Sequence, residues 1–119
     1  MTTTVNPLRD RTKQFALRVI RVVESLPPRR SAHVIGNQLL RSGTSPGANY
    51  RSACRARSPA EFCAKMGIGE EELDESLYWM ELLVEGDLVR QKNLELLMRE
   101  AEELLAMTVA SINTARRRK

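Results

Sequence analysis

The run Glu71-Glu72-Leu73-Asp74-Glu75 holds the residue types that could do chemistry most directly. Carboxylates one helical turn apart can share a hard cation such as magnesium, and this EExxE spacing would suit a magnesium-dependent nucleotide pyrophosphohydrolase, the less favoured reading. Such a site needs a second acidic pair on another helix, and Glu100 with Glu103 is the only candidate. The spacing is commonplace on soluble helices, so a solvated or ion-paired face is the preferred reading. Cys54 and Cys63 stand nine apart with no CxxC spacing, and His33 is the only histidine. That set cannot assemble a four-ligand zinc site, nor the paired Glu-x-x-His motifs of a di-iron bundle. The cysteines read as reduced, small apolar side chains and His33 as a surface residue. No catalytic residue, metal ligand or cofactor is assigned, and the chain is expected not to be an enzyme.

Phosphate recognition is the stronger chemical signal. Residues 1–57 carry eleven Lys/Arg against Asp10 and Glu24, whereas residues 58–88 carry Lys65 against nine acids. A partition this sharp predicts acidic and basic surfaces that meet within or between subunits, with basic surplus left for an anionic partner. At 100° per residue Arg30, Arg41, Arg51 and Arg55 fall within about 80° of one another. The terminal run Arg116, Arg117, Arg118 and Lys119 adds four charges. Guanidinium forks grip phosphate oxygens without reading bases. RNA or DNA backbone is therefore the expected ligand, and a protein partner on a scaffold is the alternative.

Four helical segments position these residues. The first spans about 7–25, with Leu8, Phe15, Val19, Val22, Val23 and Leu26 on one face, and Leu26-Pro27-Pro28 stops it. The second spans about 30–57, with Ser31 as the expected N-cap and a kink expected at Gly43–Gly47. Ser58-Pro59-Ala60-Glu61 starts a third helix of about 59–85, ended by a glycine cap at Gly86-Asp87. The fourth spans about 88–115, where Leu94, Leu97, Ala101, Leu104, Thr108 and Ile112 follow a bundle seam. Short connections make an all-α, antiparallel up-down-up-down four-helix bundle the simplest architecture, a single domain over residues 1–119.

The third helix has two apolar stripes. Phe62, Met66, Gly69, Leu73, Met80, Leu83 and Val84 suffice for the bundle interior. A second stripe, Ile68, Trp79 and Leu82 with Glu72 and Glu75 beside it, is expected to meet another subunit. The second helix instead sets small residues inward: Ile35, Leu39, Ser42, Pro46, Asn49 and Ala53. An inward Asn49 needs partners, since an unsatisfied buried amide costs on the order of 1–3 kcal/mol. Ser45, Asn49 and Glu75 are read as a polar network fixing helix register, with Glu72 or Glu75 as acceptor.

At 119 residues the chain can bury a core without disulfides. Aromatics are only 4%, so aliphatic side chains must fill that core, and base stacking has few platforms. No apolar run nears the roughly 20 residues that span a bilayer, and Met1–Val5 lacks the pattern of a secretory signal. A cytoplasmic location without membrane association is expected.

Phe15-Ala16-Leu17-Arg18-Val19, Gln38–Ser45, Gly47–Arg51, Ala53 and Glu75–Trp79 together resemble the family named for proteins encoded in intervening sequences of bacterial 23S ribosomal RNA genes. The similarity runs from about Phe15 to Arg116, with departures at Ser52, a position usually acidic, and Pro46, usually Val or Ile. The resemblance implies an antiparallel four-helix bundle assembling as a homopentameric ring, with no established catalytic activity. A related branch contains the accessory variability protein of diversity-generating retroelements, a basic pentamer that binds nucleic acid and a reverse transcriptase.

Overall fold

The computed structural model describes residues 6–118, in which four helices run in order: α1 (Pro7–Glu24), α2 (Arg30–Cys54), α3 (Pro59–Glu85) and α4 (Gln91–Arg117). Each packs against its sequence neighbours, and α4 returns to α1 to close an antiparallel four-helix bundle. The aliphatic core expected from periodicity sits inside. Phe15 and Val19 of α1, Leu39 of α2, Leu73, Met80 and Leu83 of α3 and the entire α4 seam from Leu94 to Ile112 are buried.

The small residues of α2 set the spacing. A Cβ placed on Gly43 would lie 2.7 Å from Val19 Cγ2 and 2.9 Å from its Cγ1, so α1 rests on bare α2 backbone there. On the α3 side Pro46 is buried opposite Gly69, and the Ser42 and Ser76 hydroxyls hydrogen-bond at 2.9 Å. Hydrogen-bonded helix continues through Gly43–Gly47 with Pro46 inside it. Just upstream, Thr44 Oγ1 donates to Leu40 O and Ser45 Oγ to Arg41 O, both at 2.7 Å, bracing the turn before the proline.

Local chemistry explains the helix ends, several of which differ from expectation; α2, for one, ends at Cys54 rather than near residue 57. Asn6 caps α1, accepting from Arg9 N, and Ser58 caps α3, accepting from Glu61 N. The N-cap of α2 is Arg29 without a side-chain bond, so Ser31 lies inside the helix rather than capping it. At the end of α3 the left-handed residue is Asp87 (φ 59°), whereas Gly86 has φ −84°. Leu88 N bonds Leu83 O and Asp87 N bonds Val84 O, the paired bonds of a Schellman cap. Val89 N is also tied to Leu83 O, which delays α4 to Gln91.

The α1–α4 seam is the least extensive, and an ion cluster closes it. Arg11 donates from Nε to Glu100 Oε2 at 2.9 Å, and from Nη2 to Glu100 Oε1 at 2.6 Å and Glu103 Oε1 at 2.8 Å. These bonds hold the Glu100 carboxyl below the usual carboxylate range.

Gly43→Ala tests the close α1–α2 approach. The added methyl must push Val19, a β-branched side chain with little freedom in a helix, and is expected to cost about 1–3 kcal/mol. Chemical denaturation of the variant measures it, and an unchanged midpoint would contradict the packing described.

Candidate functional site

Because α2 turns its small residues toward both neighbours, its arginines are left on the outer arc. Arg30, Arg41, Arg51 and Arg55 are all exposed, yet they do not form one equivalent row. Arg41 leans toward α3, where its Nη2 pairs with Glu75 Oε2 and bonds Gln38 Oε1 at 3.1 Å. Arg51 leans the other way and lines the α1–α2 groove together with Arg9 and Lys13. Arg30, Arg51 and Arg55 have no acidic partner among the described residues. Arg9 and Lys13 were not singled out from the sequence. The signal was available, since α2 contains no Asp or Glu to pair with them.

Of the C-terminal cations, Arg116 and Arg117 form the exposed last turn of α4. The helix thus runs two residues past its expected end near Ala115, and positive charge there complements the carbonyl end of the helix dipole. Arg118 lines an end cleft with Arg57, Phe62 and Thr114. Lys119 lies outside the described residues.

On the outer face of α3, Ile68 and Tyr78 are 43% and 53% exposed, while Trp79 and Leu82 are half-buried. Trp79 Nε1 donates to Glu75 Oε2 at 3.0 Å, and its ring meets Tyr78 edge-on with centroids 5.0 Å apart. Part of the second apolar stripe is therefore satisfied within one chain. Tyr78, absent from the sequence-derived stripe, extends it.

The polar residues fall into two separate groups rather than one network. Asn49 Nδ2 donates to Glu72 Oε1 at 3.0 Å and to Ser45 O at 3.2 Å. Glu75 takes no part there, because Arg41 and Trp79 occupy it. Burial raises the Glu72 carboxyl above its ordinary value, with the bond from Asn49 opposing that shift. A buried Ser42–Ser76 bond beneath them had no sequence signal beyond two small polar residues.

Metal chemistry finds no cluster. Glu100 and Glu103, the second acidic pair such a site would require, both accept from Arg11. Among the described residues no three His, Cys, Asp or Glu side chains gather as ligands. Both cysteines are free, with Cys54 exposed rather than in the core and Cys63 half-buried, its thiol 3.8 Å from Ile112 O. His33 is exposed in the first turn of α2. No helix among the described residues is long and apolar enough to cross a membrane.

The chain belongs to the 23S rRNA-intervening sequence protein family, whose model matches residues 7–110. It is similar to a crystal structure of a protein of unknown function from the S23 ribosomal protein family of Bacteroides thetaiotaomicron. The two share 32% identity and a TM-score of 0.83 over 88% of this chain and 97% of that one. No curated protein matches the chain.

Glu72 yields a pH-dependent expectation. A carboxyl raised in the folded state contributes stability below the ordinary carboxylate range, and that contribution is lost as pH rises through the folded value. Glu72→Gln keeps an acceptor for Asn49 and removes the buried charge. Its melting temperature should exceed that of the parent at neutral pH, with the gap closing under acid; thermal scans across pH check this, and a constant gap would refute it.

Proposed function

We propose that the protein is a non-catalytic, self-associating helical bundle that holds nucleic acid by its backbone. The supporting observation is the uneven distribution of charge over the four helices. Over its whole length α2 carries no acidic side chain, while its exposed Arg30, Arg51 and Arg55 lack acidic partners among the described residues. Basic residues on the last turn of α4 extend the attraction. With no row of exposed aromatics, recognition rests on phosphate charge and discriminates sequence poorly. Self-association in a homopentameric ring would repeat the surface and raise avidity.

Affinity for a structured RNA or a duplex should fall steeply with salt, with a log–log slope of roughly −0.9 per phosphate engaged. Copurification with and without nuclease completes the test. Salt-independent binding, or protein recovered free of nucleic acid in both preparations, would overturn this reading.

The α3 face supports the self-association. Ile68 and Tyr78 stay exposed beside half-buried Trp79 and Leu82, an apolar surface that a companion chain would cover. The same face would suit a protein partner, the scaffold alternative. Ile68→Glu should keep the helical circular-dichroism signal while sedimentation shows a smaller particle than the parent. A parent that sediments at its 13.5 kDa chain mass would remove self-association from the proposal.

A further inference from the structure

The α1–α2 seam contains a groove of about 310 Å³ that none of the acidic residues of α3 or α4 lines. Its cations come from both walls, Arg9 and Lys13 from α1 and Arg51 from α2, and all three are exposed. The only acids on these two helices are Asp10 and Glu24, and neither is ion-paired with a lining cation.

The floor is built for close approach. Small residues line it, and at Gly47 a Cβ would stand 3.3 Å from Thr12 Oγ1, so the helices meet closely beneath the groove. The hydroxyl protons of Thr12 and Thr44 are already committed, to Leu8 O at 2.6 Å and Leu40 O at 2.7 Å. Ligand recognition therefore falls to the three cations. One end of the groove is also fixed. Tyr50 Oη donates to Asn6 Oδ1 at 2.9 Å, and the same oxygen caps Arg9 N at 3.2 Å. That pair ties the first turn of α1 to the turn of α2 that carries Arg51, holding cations of both walls in register.

We propose that this groove seats the phosphodiester backbone of a nucleic acid, gripped from one side by Arg9 and Lys13 and from the other by Arg51. The proposal rests on the nucleic-acid reading above and gives it a location that includes only one of the arginines expected from the α2 row. A clamp with charges on two walls favours a strand lying along the seam over diffuse adhesion to the α2 surface.

The test compares the full-length parent with R9Q/K13Q/R51Q and with R90Q/K92Q/R99Q, which removes equal charge from exposed positions on and just before α4. Binding to an RNA duplex and a DNA duplex of the same sequence is measured by fluorescence anisotropy across salt. The groove variant should lose about tenfold or more in affinity, and its salt slope should shrink by about two to three. The α4 variant should lose much less. The duplex showing the larger selective loss identifies the nucleic acid. Equal losses in both variants, with parental binding intact, overturn the groove and leave the broader reading standing. No parental binding to either duplex at low salt overturns both. A changed particle mass for the groove variant would make the groove a subunit contact and overturn the proposal as well.

Discussion

The closeness of α2 to both neighbours is the constraint from which the other features follow. Gly43 admits Val19 of α1 against bare backbone, while Ser42 and Pro46 admit Ser76 and Gly69 of α3. Small residues on two inner arcs leave α2 with little bulk of its own, so the neighbouring helices supply most of the large core side chains. Dispersion is short-ranged, and such surfaces hold only when backbones come near enough for atoms to touch. The hydroxyls of Ser42 and Ser76 satisfy one another at that distance, which removes the penalty of burying them singly.

That arrangement also governs the electrostatics. Since α2 is occupied on both inner arcs, its charges are confined to the outside, and none of them is acidic. Two arginines are partly neutralised where helices meet: Arg41 by Glu75 on the α2–α3 side, and Arg11 by Glu100 and Glu103 on the α1–α4 side. The α1–α2 side has no such acid, so its cations stay available. The molecule is thereby polarised, with basic α1 and α2 set against acidic α3, while α4 balances its acids with bases. The proposed phosphate binding would draw on such a field.

The acidic run of α3 shows how one residue pattern can serve different ends. Glu71, Glu72, Asp74 and Glu75 have the spacing of cation ligands, yet Glu72 meets an amide and Glu75 a guanidinium and an indole. Their second-helix counterparts, Glu100 and Glu103, are engaged by an arginine from α1. Spacing along one helix determines which side chains share a face. What stands opposite that face is a property of another helix.

Periodicity and punctuation made much of this protein legible in one dimension. The seam of α4 from Leu94 to Ile112, the proline stop after α1 and the Ser58 start of α3 depend on local geometry, and residues within a few positions specify them. The left-handed residue at Asp87 rather than Gly86, and the late start of α4, come from carbonyls of α3 claiming the amides of the next segment. The division of the arginines is likewise tertiary: a helical projection puts Arg41 and Arg51 on one arc, but the neighbours on its two sides differ. Composition and spacing alone determined the helices and the sign of their surfaces, because both are sums over nearby residues. Which carboxylate met which cation, and which cations were left over, was decided only when distant segments came together.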